Sequence, residues 1–149
     1  MDNKLESKII KAFFYPNKQD RILFELLKNM HREVIHRLCH SYNDYIDRNY
    51  VVAGSESKKG RSSDDIIKVM QDNGVSSLCY VISEYEEFNR KQCKLKEALD
   101  SLNSCNGFAF LIVGLPSGFT FFQGESHSSY QPNFFLKPKM RFDGIPWGK

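Results

Sequence analysis

The apolar positions in the first third of the chain fall on a helical period. Residues 19–49 contain no glycine and no proline. Within them Leu23, Leu26, Leu27, Met30, Val34, Leu38, Tyr42 and Tyr45 recur mostly at steps of three and four. That spacing is the one-sided stripe of an amphipathic helix. Asp20 stands near its start, where the helix dipole is positive. An unbroken helix over 19–49 would run roughly 40 Å at about 1.5 Å per residue, more than the core of a small domain needs. Its surplus face of Leu23, Leu27, Met30, Val34, Leu38 and Tyr45 is therefore expected to meet another protein, with a second copy of the chain as first choice. Two shorter helices with a bend near residues 39–41 form the competing pattern.

The remaining pattern alternates between helix and strand. Ile9, Ile10, Phe13 and Phe14 mark a short element that Pro16 closes. Residues 50–53 read as a short strand, and the Gly/Ser-rich stretch 54–61 as an exposed loop. Ser63 caps a helix with Ile66, Ile67 and Met70 inside and Asn73-Gly74 at its end. Leu78, Tyr80 and Ile82 alternate as in a strand, followed by an acidic loop over 83–89. Leu95, Ala98, Leu99 and Leu102 give the next helix. Residues 108–113 and 119–123 form a hairpin around the turn 114–118, and 134–136 add a further strand. The pattern is α+β: a long N-terminal amphipathic helix, then helix-strand-helix-strand-strand, with a mostly antiparallel sheet of three or four strands and helices on one face. Residues 1–149 are read as a single globular domain, with the 54–62 loop as the one place for a sub-boundary.

Composition narrows the class. The chain has 149 residues, 41% hydrophobic and 13% aromatic, enough to build a core without a disulfide or structural metal and too sticky for a disordered chain. No run reaches the ~18 apolar residues of a membrane span. Asp2 and Glu6 stand where an export signal needs bases. The expected location is cytoplasmic with no membrane partner, and Cys39, Cys79, Cys93 and Cys105 are expected to be reduced thiols. The net charge of +3 divides into +4 over 1–62, −3 over 63–123 and +2 over 124–149.

Three constellations could carry chemistry. Glu33, His36, His40 and Asp44, at steps of three, four and four, share one helix face, and two imidazoles one turn apart can hold a metal. No second motif of that kind accompanies them, so a solvated face is expected, with no metal and no cofactor. Glu125 and His127 share one side of an extended segment, where a carboxylate can orient an imidazole for proton transfer, and Tyr130 could add a phenolic donor. Lys58, Lys59 and Arg61 in the loop, and Lys137, Lys139 and Arg141 in a tail interleaved with aromatics, have the composition of a single-strand binding surface. The sequence pI of 8.6 is below the value of about 9 that marks most dedicated nucleic-acid binders. Cys39 and His40, adjacent in a helix, project about 100° apart and make no nucleophile–base pair.

Phosphate-loop, dinucleotide-binding, HExxH and CxxC motifs are absent from the chain. The leading expectation is thus a small interaction module of inhibitor, immunity, adaptor or mobile-element type, assembling as a homodimer through 19–49 and leaning away from catalysis. The alternative is a small enzyme or ligand-binding protein using Glu125 and His127 beside the sheet. A weak nucleic-acid binder using 58–61 and 137–141 is the third reading.

Overall fold

The computed structural model describes residues 2–28, 31–57, 59–104, 109–125 and 131–148. In it the apolar stripe of 19–49 is divided among several elements. Helix α1 (Asn3–Phe13) is capped by Asp2, whose carboxylate accepts from the Leu5 N–H at 3.0 Å, and buries Ile9, Ile10 and Phe13. Helix α2 (Pro16–Leu27) opens with Pro16, whose fixed φ suits a first helical turn. Helix α3 (His31–His40) follows, then the single turn α4 (Tyr42–Tyr45) and a 3-10 turn at Arg48–Tyr50. The expected continuous helix is therefore corrected twice. The chain stops after Leu27, and it stops again at Ser41, where the competing pattern placed its bend.

Helix α5 (Ser63–Asp72) is capped one residue earlier than expected, at Ser62, whose side chain accepts from the Asp65 N–H at 3.2 Å. Strand β1 (Val75–Ser83), strand β2 (Lys91–Lys94), helix α6 (Leu95–Ser104), and strands β3 (Phe110–Pro116), β4 (Thr120–Gln123) and β5 (Asn133–Leu136) complete the order. The strands form one antiparallel sheet in the order β2-β1-β3-β4-β5. The sheet thus has five strands, one or two more than expected. The addition is β2, a polar edge strand whose pattern of Lys, Gln, Cys and Lys gave no apolar signal. Residues 50–53 contribute one bridge, Val51 to Leu136.

Helices cover both faces of this sheet, not one. Tyr80, Ile82, Leu111, Val113, Phe122, Phe134 and Leu136 pack with α1, α2 and α3. Cys79, Val81, Phe110, Ile112, Phe121 and Phe135 pack with α5 and α6. Alternate residues of each strand thus enter opposite cores, as the period of two requires. At the β3–β4 connection Gly114 lies so close to Val75 that an added Cβ would come within 2.3 Å of its side chain, so no other residue fits. Gly118, at φ +89, takes the left-handed turn position that glycine occupies without strain.

One buried ionic contact ties α1 to the sheet. The Arg90 guanidinium donates to both oxygens of Glu6, at 2.8 and 2.7 Å, and the Tyr80 hydroxyl donates to the same carboxylate. Glu6 and Arg90 are each about 95% or more buried. Burial pushes the Tyr80 hydroxyl pKa up, and its bond to Glu6 adds to the shift. Among the described residues no helix is long and apolar enough to cross a membrane.

Two substitutions test this architecture. Phe110→Ala should cost about 3–5 kcal/mol by leaving a cavity in the sheet core. Arg90→Ala should cost a similar 3–5 kcal/mol or so, because Glu6 is left buried and unpaired. Urea denaturation measures both, and a loss below about 1 kcal/mol in either would contradict the packing that motivates it.

Candidate metal centre

Two strand ends and one helix build the site. The C-terminal residues of β1 and β4 leave the sheet at the same end, since Ser83 and Gln123 both pair with Phe110. Glu84 follows the first and Glu125 lies just beyond the second. Helix α3 is held over this end by Cys39, whose buried thiol faces the Ala109 carbonyl at 3.7 Å. Burial pushes that thiol up to about 12, so it serves packing and not nucleophilic chemistry. With Cys39 turned inward, His36 and His40 lie one turn apart along the flank of the helix, their ring centroids 4.2 Å apart.

The side chains then converge. His36 Nδ1 lies 2.9 Å from Glu84 Oε2, and His40 Nε2 lies 2.7 Å from Glu84 Oε1. The other nitrogen of His40, Nδ1, lies 2.8 Å from Glu125 Oε2. Both ring nitrogens of His40 therefore face carboxylates. His40 and Glu84 are partly buried and His36 is open to solvent, with side-chain exposures of 29, 29 and 62%. One ligand atom from each of His36, His40 and Glu84 lies within 4.8 Å of the others. A tetrahedral shell with bonds near 2.1 Å needs spacings of about 3.5 Å, so the histidine–Glu84 contacts of 2.9 and 2.7 Å would widen as an ion entered.

The set is chemically apt. Two imidazoles and a carboxylate suit zinc and neighbouring first-row divalent ions. A ligating histidine usually donates its second N–H to a carboxylate, which fixes the tautomer. Glu125 stands where that partner belongs. On one side of Glu84 lies a cavity of about 410 Å³ lined by Arg32, Asn89 and Arg90 among others. On the other lies an open cleft of about 640 Å³ reaching Glu25, Arg37 and His36. Burial would raise the Glu25 pKa, but hydrogen bonds from Arg21 and Arg37 outweigh that and hold it below the ordinary carboxylate range.

The sequence-derived candidates separate accordingly. His36 and His40 meet as their spacing suggested. Glu33 lines the cleft beside His36 without joining the group, and the break at Ser41 places Asp44 on α4, exposed. Glu125 finds His40, while His127 and Tyr130 lie outside the described residues. Glu84 is the member that sequence reasoning missed, inside an acidic stretch read as loop.

The expected dimer face is largely consumed. Val34 and Leu38 are buried in the core, Leu23 and Tyr45 pack partly against it, and Met30 lies outside the described residues. Leu27 remains exposed, as does its neighbour Phe24. The physical reason is that the sheet's upper face needs these side chains.

The expected basic surface is also divided. Lys58 lies outside the described residues and Lys59 is exposed. Arg61 turns inward, donating to the Ser55 carbonyl and stacking over Phe135 at 4.9 Å. Lys137 rests over Trp147 at 4.6 Å. Lys139 and Arg141 line a groove on the α1 side.

Comparison with protein-family models, with curated proteins and with solved structures finds no match for this chain.

The Glu25 arrangement predicts acid sensitivity. Its folded pKa is depressed, so its contribution to stability is present above the unfolded value of about 4.3 and is lost as pH falls through the folded value. Thermal melting across pH 3–6 should show this loss in the wild type and a flatter acid limb in Glu25→Gln. Parallel curves for the two proteins would contradict it.

Proposed function

We propose that the protein binds a divalent first-row metal ion, zinc being the best match, through His36, His40 and Glu84, with Glu125 positioning His40. The observation that carries this reading is the carboxylate on each nitrogen of His40. A neutral imidazole has one N–H to donate. It can satisfy Glu125 or Glu84 but not both, so the second contact calls for either a second ring proton or a bound cation. A cation bound between Nε2 and Glu84 resolves the mismatch, leaving Nδ1–H to donate to Glu125.

Three protein ligands leave a coordination position open, which is the arrangement of catalytic rather than structural zinc sites. The open position would face the clefts beside Glu84. We therefore read the protein as a metal-dependent ligand-binding protein or hydrolytic enzyme, in which the metal would polarise a bound oxygen or activate water. This keeps Glu125 from the enzyme reading and replaces His127 with His40 as its partner. A cytoplasmic location agrees with the free thiols of Cys39, Cys79 and Cys93. The interaction-module reading retains Phe24 and Leu27 as its available apolar surface, a much smaller patch than the stripe that suggested it.

Calorimetric titration with zinc tests the site. One ion per chain is expected, with proton release and weaker binding at lower pH, since protons compete for the ligands. His40→Ala and Glu84→Ala should abolish the tight phase, and Glu125→Gln should weaken it by roughly 10–100-fold. Equal affinities in wild type and His40→Ala would end this reading.

A further inference from the structure

The lysines of α1 meet the C-terminal segment across a groove of about 700 Å³. Lys4, Lys8 and Lys11, at steps of four and three, line one wall along the exposed face of the helix. Lys139 and Arg141 line the other. Tyr50, Met140 and Phe142 supply apolar surface between them, with Met140 73% exposed. Among the described residues no carboxylate pairs with Lys4, Lys8, Lys11 or Lys139. Arg141 is already engaged, its Nε and Nη2 donating to Asp143 at 3.0 and 2.8 Å. Lys8 is held in place by donating to the Phe142 carbonyl at 3.2 Å.

These four lysines exceed the whole chain's net charge of +3. The four carry no paired carboxylate among the described residues, so together along one groove they make a local positive field. We infer that the groove binds single-stranded nucleic acid through its phosphate backbone.

Several observations favour this occupant over an acidic peptide. Planar carboxylates are best recognised by the paired donors of a guanidinium, and the groove's one guanidinium already holds Asp143. The remaining cations are point charges roughly 6 Å apart along a helix, with no preferred approach geometry. A chain of phosphates satisfies such a row without needing a fixed angle, and it gains further from releasing its counterions. Partly exposed rings at Tyr50 and Phe142, beside Met140, offer the sequence-tolerant contact surface that unpaired bases use. A duplex buries its base faces in its own stack and would gain only the charge term. Lys139 and Arg141, named from the sequence, line this groove together with the lysines of α1.

Fluorescence anisotropy of the full-length protein with labelled oligothymidylate, across a salt series, tests the inference. Engagement of four phosphates gives a slope of log K against log salt of about −2.8, at roughly −0.7 per contact on a single strand. Lys8→Gln combined with Lys139→Gln should flatten that slope by about 1.4. Both positions are exposed, and an unchanged melting temperature confirms that the variant is folded. Added EDTA should not alter binding, which separates this groove from the histidine site whatever the fate of that reading. A slope unchanged in the double variant would overturn the inference. So would tighter binding of an oligoglutamate peptide than of the oligonucleotide, which would assign the groove to an acidic protein segment.

Discussion

Burial of the central strands on both faces is the constraint from which the rest of the structure follows. Every residue from Ala109 to Val113 is buried, so alternate side chains of β3 need cover on opposite sides of the sheet. Helices α5 and α6 supply one cover. The other comes from residues 3–50, which among the described residues hold the remaining helices. Five strands about 4.8 Å apart form a surface roughly 20 Å wide. One straight helix covers a single line across such a surface. Dividing the apolar stripe into α2 and α3 lets Ile22, Leu26, Val34, Ile35 and Leu38 all reach it. The gain in buried apolar area exceeds what a continuous helix would keep in backbone hydrogen bonds, since most helical stability in proteins comes from packing an apolar face.

The same packing creates the histidine site. With Val34, Ile35, Leu38 and Cys39 turned to the sheet, His36 and His40 fall on the flank of α3 that overhangs the ends of β1 and β4. The carboxylates reach them because the chain around each is anchored. Ser83 donates its hydroxyl to the Ala109 carbonyl at 2.9 Å, and its N–H is accepted by Asn89 at 3.1 Å. Arg90 then locks the far end of that loop to Glu6. Glu84 therefore leaves a segment fixed on both sides, which is the support that a metal ligand on a loop requires.

What the sequence made legible divides along sequence distance. The hairpin, the helices over Ile66 and Leu99, and the α+β class rest on contacts between near neighbours, and periodicity reports those directly. The two-sided cover was not read, since helices were expected on one face, although an unbroken apolar run such as 108–113 is what a strand buried on both faces looks like. The break after Leu27 left little trace. Lys28 is a good helix former and Asn29 only a weaker one, and neither glycine nor proline stands there. Strand β2 was hidden because an exposed edge strand has no apolar alternation to read. In the site, His36 and His40 were visible through their spacing of four. Glu84 was not, since it lies 44 residues from His40, and nothing local distinguishes it from Glu86 or Glu87. Glu125 was recognised as a carboxylate in search of an imidazole, and proximity in sequence suggested His127. The fold brings His40 to it from 85 residues away, and His127 lies outside the described residues.

The two charged features of the surface also have a common origin in this division of labour. Helix α1 buries Ile9, Ile10 and Phe13 on one side, so its outer face must be polar, and three lysines there satisfy that need. Solvation alone would be met equally well by mixed signs, which repel less. Elsewhere the chain does mix them: Arg32 meets Glu86 at 2.8 Å, and Arg21 meets Glu25 at 2.7 Å. Around α3 positive and negative groups are interleaved, and the histidine site is built from their contacts. Along α1 they are segregated, and no acid of the tail approaches the lysines because Asp143 is taken up by Arg141. Unscreened like charges at one helical turn cost free energy in the isolated protein. Salt screens part of that cost, and a negative partner in the groove would offset more of it, which is the physical basis of the inference drawn from this segregation.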